Sequence, residues 1–208
     1  MKTKAPPKLD LYKLHANEYQ APKKPVLLAI PPAQYLSIAG QGAPGGPRFE
    51  ACIGALYGVA FTIKMTRKFA GQGDYAVAKL EGQWLLDRQQ REAPKDQWQW
   101  QLMIRTPDFI TARDREQAVA VLLKRGKPGE VAEVKLETVD EGQCVQMLHV
   151  GPYEKEGDTV ALMQAFAEQQ GFIFTGAHHD IYLSDPRRVP AERLRTILRH
   201  PVTAKPAK

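Results

Sequence analysis

Apolar and polar positions along this chain change period several times, and each change marks an element. From Phe49 to about Phe69 apolar residues recur every three or four positions, so that Ile53, Leu56, Tyr57, Ala60, Phe61 and Lys64 share one face; the spacing predicts a long helix. Gln34 to Gly40 before it reads as a strand, and so do Tyr75 to Trp84 and Trp98 to Arg105 after it, joined by the charged segment Asp87 to Asp96. In the last of these Trp98, Trp100 and Leu102 take one face and Gln97, Gln99 and Gln101 the other, the pattern of a half-buried strand. Thr111 with Asp114 makes a capping box for a helix to about Arg125, which Gly126 ends. A strand from Val131 to Thr138 then leads through a turn at Asp140 to Gly142 into a second, Gln143 to Val150. The helix Gly157 to Gln170 stacks Leu162, Met163 and Phe166, a strand around His179 follows, and Arg195 to Val202 has Ile197 and Leu198 to bury while closing the sheet.

The order strand, helix, strand, strand thus occurs twice. The expected fold class is α+β, with two such modules, about residues 25–110 and 130–204, joined by a helix at about 111–126. A duplicated unit leaves a groove between its copies, and grooves between modules are where small molecules most often bind. Residues 1–24 are rich in Lys and Pro, with a short helix at Leu9 to His15, and read as a basic arm laid on the domain or left mobile, dispensable to the chemistry.

Composition narrows the functional classes. A net charge of +6 invites a nucleic-acid partner, but the charge is peripheral: residues 1–24 carry six lysines against two acids, residues 185–208 seven cations against two acids, and the stretch between them 16 basic against 19 acidic residues. Nucleic-acid binding is therefore not expected. The longest apolar run, Cys52 to Ile63, falls well short of the roughly 20 residues that span a bilayer. No secretion signal is recognisable, because Pro31-Pro32 interrupts the run from Val26 to Ile30, and a cytoplasmic location is expected. Two cysteines, Cys52 and Cys144, support neither a disulfide framework nor a structural zinc site.

Candidate chemistry gathers at three places. Strand alternation puts His178, Asp180, Tyr182 and Ser184 on one face and His179, Ile181 and Leu183 on the other. A carboxylate flanked by a phenol and an imidazole in a partly enclosed groove suits a cationic or hydrogen-bond-donating ligand; equally, the two histidines could cap a strand end while Asp180 pairs with a surface arginine. Adjacent strand histidines point oppositely, so no metal site is expected. The second place is a set of aromatic residues, Tyr57 and Phe61 one helical turn apart, Trp84, Trp98 and Trp100, and Tyr153 and Tyr182. Such rings usually pack a core, yet the polar atoms of Trp and Tyr suit the wet rim of a pocket. The third is a Glu-Gly-Gln triplet in each half, at Glu81 and at Glu141; Glu81, close to Trp84, is a second candidate carboxylate for the groove.

Several motifs in order resemble one family: Ala55 to Ala60, Leu80-Glu81-Gly82-Gln83-Trp84, Gln101 to Phe109, Leu148-His149-Val150-Gly151-Pro152-Tyr153, and His178 to Asp185. Over roughly Pro25 to Val202 the chain is similar to the GyrI-like small-molecule-binding proteins of the stand-alone kind. That resemblance implies paired strand-helix-strand-strand modules around a pseudo-twofold ligand cleft, binding lipophilic, aromatic or cationic compounds with no cofactor. Some members resemble hydrolases that open the cyclopropane of DNA-alkylating natural products inside an aromatic cage. Carried onto matching positions, the cage draws on Tyr57, Phe61, Trp84, Trp100, Tyr153 and Tyr182, with Asp180 where relatives usually have Glu and with Leu85-Leu86 where they often have another aromatic. Asp180 or Glu81 would then orient an attacking water; the alternative is a module that only sequesters or senses its ligand.

Overall fold

The computed structural model describes residues 8–85 and 93–206. Nine strands form one sheet: β1 (Val26–Ile30), β2 (Ala33–Gln41), β3 (Glu81–Trp84), β4 (Gln99–Arg105), β5 (Lys135–Val139), β6 (Gly142–Val150), β7 (Phe172–Phe174), β8 (His178–Tyr182) and β9 (Arg195–Ala204). Their order is β1-β6-β9-β8-β3-β4-β2-β5, with β7 paired to the end of β9 and every pairing antiparallel. Three strands of the N-terminal half stand together as β3-β4-β2 and three of the C-terminal half as β8-β9-β6, while β1 crosses over to pair with β6 and β5 to pair with β2; the central junction is the β3–β8 pair, where Gly82 faces Asp180 and Trp84 faces His178.

Each half sets one long helix on the same face of this sheet. Between the short N-terminal helices α1 (Leu11–Leu14) and α2 (Ala16–Tyr19) and the linking helix lies α3 (Pro47–Phe69), entered through Pro47 at its first position. Its Cys52, Leu56, Val59 and Ile63 pack on Leu36, Ile38, Leu102 and Ile104 of the sheet. The linking helix α4 (Ala112–Lys124) carries the reciprocal Thr111–Asp114 cap and, with the turn α5 (Glu130–Glu133), packs against α3. The last helix, α6 (Glu156–Gln169), buries Met163 and Ala167 on Val145, Met147 and Leu198.

Three expectations need correction. Tyr75 to Leu80 is not strand: Leu9 pairs with Tyr75 through a single parallel bridge, and the chain enters the sheet only at Glu81. Val131 opens inside a helical turn, and its strand begins at Lys135. The segment Arg195 to Val202 does not close the sheet but lies inside it, between β6 and β8. Of the two courses open to the N-terminal segment, residues 8–22 take the first and lie on the domain. Tyr19 is buried with Leu148, Ile181 and Ile197, the Leu148 amide donates to the Pro22 carbonyl at 2.8 Å, and Tyr12 stacks on Tyr19 at 4.0 Å. Of the charged connection Asp87 to Asp96, residues 87–92 lie outside the described residues, as does Leu86.

Candidate functional site

Over the β3–β8 junction, between α3 and α6, lies a cavity of 1130 Å³. Its floor is Trp84 of β3 with His178, Asp180 and Tyr182 of β8, the alternate residues that a strand presents to one side. Phe49, Ile53 and Tyr57 of α3 form one wall, and Tyr153, Glu156 and Val160 the other. Gly82 keeps the floor open, since a Cβ there would stand 3.3 Å from the Tyr182 hydroxyl.

Rings and acid are fastened to each other. The Trp84 indole N–H donates to Asp180 Oδ2 at 2.6 Å, the Tyr182 hydroxyl donates to the same oxygen at 3.4 Å, and His178 Nε2 lies 2.9 Å from Oδ1. Phe49 stacks over Trp84 at 6.1 Å, Trp98 meets Trp84 edge-on at 5.9 Å, and Tyr153 meets Tyr182 edge-on at 5.9 Å. Burial, followed by the charge of Asp180, holds the Tyr182 phenol far above its ordinary range; burial, followed by Glu156, takes that of Tyr153 to about 12. Both phenols are therefore hydrogen-bond donors at neutral pH.

Of the nine side chains expected at the site, Tyr57, Trp84, Tyr153, His178, Asp180 and Tyr182 come together around this cavity. Three do not. Trp100 is fully buried beneath α3, edge-on to Phe49 at 5.0 Å, with its indole N–H on the Gly42 carbonyl. Phe61 stacks on Tyr57 but is half exposed and points away from the cavity lining. Glu81 is on the opposite face, because it is one residue out of phase with Gly82 and Trp84 is two residues in phase. There it accepts a hydrogen bond from the Tyr19 hydroxyl at 3.0 Å and lies 3.1 Å from His179 Nε2.

That opposite face holds a second polar cluster, closed to solvent by the N-terminal segment. His179 Nδ1 is 2.9 Å from Glu141, Arg199 donates to Glu141, Gln146 and the Glu18 carbonyl, and Arg105 pairs with Glu18 at 2.5 Å. Three cations thus face three carboxylates. Burial opposes a charge on His179, but Glu141 and then Glu81 hold it up at about 9. Burial would likewise raise Glu141, yet His179 and Arg199 bring it down to about 2. Residues 178–182 are therefore anchored from below by ions while they present the cleft floor above.

Phe49, Ile53, Val160 and Glu156 line the cleft without having been recognised in the sequence. Glu156 opens α6 and lines the cavity, with its Oε1 buried and without a hydrogen bond. Burial and then Asp180 raise its carboxyl to about 9, against a smaller lowering by the Thr196 hydroxyl. In the sequence an acid in the first turn of a helix is unremarkable, because it complements the helix dipole anywhere. Among the described residues no group of three or more His, Cys, Asp or Glu is placed to hold a metal, and no helix is long and apolar enough to cross a membrane.

Comparison with known proteins places this geometry. No match is found among curated proteins. Among solved structures, an uncharacterized conserved protein from Listeria innocua is 38% identical, with a TM-score of 0.87, over 94% of this chain and 100% of its own. Two structures described as hydrolases from the same organism are 38% and 36% identical, with TM-scores of 0.85 and 0.86, over 94% and 95% of this chain and 100% of theirs. The C-terminal domain of EcmrR, at 13% identity and a TM-score of 0.56 over 87% of this chain and 98% of its own, shares the fold alone. The family model described as GyrI-like small molecule binding domain matches residues 24–203. The chain belongs to the family of GyrI-like small molecule binding domains.

Proposed function

We propose that the cleft, set between a module of about residues 25–110 and another of about 130–204, takes up flat lipophilic or cationic aromatic compounds in the cytoplasm and hydrolyses those that carry a strained cyclopropyl ketone. The observation that carries this reading is the ring-lined cavity itself, in which Tyr57, Trp84, Tyr153 and Tyr182 surround an acid-bearing floor. A planar conjugated ligand would fill the slot between the walls with ring contacts worth about 0.5–1.5 kcal/mol each beyond burial. The two hydrolases from Listeria innocua, similar over nearly the whole chain, favour turnover over simple capture.

Opening the strained ring needs a water held against the electrophilic carbon and a proton delivered to the ketone oxygen as the carbon–carbon bond breaks. Positioning supplies most of such an acceleration, and a placed acid or base typically adds about 10²–10⁴-fold. Tyr153 and Tyr182, which keep their protons, are donors for that oxygen. Incubating the purified protein with a cyclopropyl-dienone alkylator and following products by mass spectrometry tests the proposal. Catalytic accumulation of a product heavier by one water is expected. Binding without any such product would instead mark a sequestering module.

A further inference from the structure

Five carboxylates, Glu50, Glu154, Glu156, Asp180 and Asp185, border the cleft; Asp180 and Glu156 have buried oxygens, and those two are differently engaged. Asp180 Oδ2 accepts hydrogen bonds from Trp84 and Tyr182, its Oδ1 lies 2.9 Å from His178 Nε2 without a hydrogen bond, and only 3% of the residue is exposed. Glu156 stands on the wall formed by the start of α6, with Oε1 buried and without a hydrogen bond, near the Thr196 hydroxyl. Buried acceptors without donors are uncommon in folded proteins, and in a cleft they point to what a ligand brings.

We propose that Glu156 is the group a cationic ligand meets, that it surrenders a proton as the ligand's charge arrives, and that Asp180 acts behind it as a positioning residue for Trp84 and Tyr182. The inference rests on the small-molecule reading above. The groups around Glu156 are Asp180, Tyr182 and His178 from β8, Thr196 from β9, and Tyr153 and Glu154 from its own approach; His149 of β6 is taken up by Thr159 and the Pro152 carbonyl, and the cations Lys79, Lys95 and Arg187 line the same cavity. Among these, Asp180 and Glu154 oppose a charge on Glu156, while the Thr196 hydroxyl and the start of the helix favour it. Burial and Asp180 dominate, and the carboxyl keeps its proton to about pH 9. A bound monocation supplies the missing countercharge: carboxylic acid plus cation becomes carboxylate–cation pair plus one proton released to buffer.

Linkage fixes the sign. Affinity for a permanent cation should rise with pH, by up to about tenfold per unit, until Glu156 ionises unaided near 9, while an uncharged ligand of the same shape gains nothing. Calorimetry with the planar cation N-methylacridinium, in buffers of different ionisation enthalpy between pH 6 and 9, should detect about one proton released per ligand bound; uncharged anthracenemethanol should release none. Glu156→Gln should remove the pH slope and weaken cation binding at least tenfold at pH 8.5. Asp180→Asn should keep a pH slope but end it at a lower pH, because the charge that helps Glu156 hold its proton is gone, and should shift the Trp84 emission and weaken both probes. In the free protein at pH 7, the infrared carbonyl band of a protonated carboxyl should be present and should vanish in Glu156→Gln. A wild-type slope retained in Glu156→Gln, or a band unaffected by it, overturns the proposal. If neither probe bound the wild type, the function proposed above would fail, and the infrared band would still decide the state of Glu156.

Discussion

Replacing Arg199 with methionine should remove about 3–5 kcal/mol of stability, the range for breaking a buried ion pair by deleting one partner. Arg199 is fully buried and makes three hydrogen bonds, to Glu141 at 2.7 Å, Gln146 at 2.9 Å and the Glu18 carbonyl at 2.9 Å. Without it the closed cluster holds two cations against three carboxylates, and two neutral acceptors lose their donor as well. Methionine fills much of the same volume, so the loss reports charge and hydrogen bonding more than a void. Total stabilities of single domains are about 5–15 kcal/mol, so this is a large share. Because Glu18 belongs to the N-terminal segment, the same change should loosen residues 8–22. Urea denaturation would give the loss, and hydrogen exchange at the Leu9, His15 and Ala76 amides, which are bonded within or to that segment, would show the loosening. A shift below about 1 kcal/mol would mean that the buried charges hold little together.

Trp100→Ala should cost a similar amount, about 3–5 kcal/mol, and should affect ligand binding only through that loss. The indole lies across Gly40, where a Cβ would come within 2.3 Å of the ring, and it contacts Phe49 edge-on from below. Strand β4 therefore uses Trp100 to support the wall residue that stacks over Trp84, and does not offer the ring to a ligand. Denaturant midpoints and ligand affinities of the same variant separate the two roles. A protein of unaltered stability that had lost its ligand would put Trp100 in the cleft after all.

The extent to which this molecule could be read from its sequence depends on how local the deciding physics is. The end of α3 at Phe69, the Thr111–Asp114 cap and the two faces of β8 follow from periods and caps that span a few residues, and they read correctly. Partners between strands do not. Val26–Ile30 is a bare apolar run whose value lies in pairing with β6, far along the chain. Strand β9 reads as the closing strand because it comes last with Ile197 and Leu198 to bury, whereas it lies inside the sheet, with Arg199 buried against Glu141 and His200 buried with its ring stacked on Phe174. Glu81 looked like a cleft acid because it sits beside Trp84 in sequence, but its strand phase sends it to the other face. The N-terminal segment reads as a basic arm because of its lysines and prolines; Glu18 and Tyr19, which bond Arg105 and Glu81 in the ionic cluster, are a small part of its composition.

Fluorescence titration with a planar lipophilic cation tests most directly whether the hollow between α3 and α6 is the binding site. Saturable quenching of tryptophan emission is expected in the wild type, strongly reduced affinity in Tyr57→Ala and Tyr182→Ala, whose rings line the cavity, and unchanged affinity in Phe61→Ala, one helical turn farther out. Tyr57→Ala and Tyr182→Ala proteins that bind as tightly as the wild type would contradict the assignment.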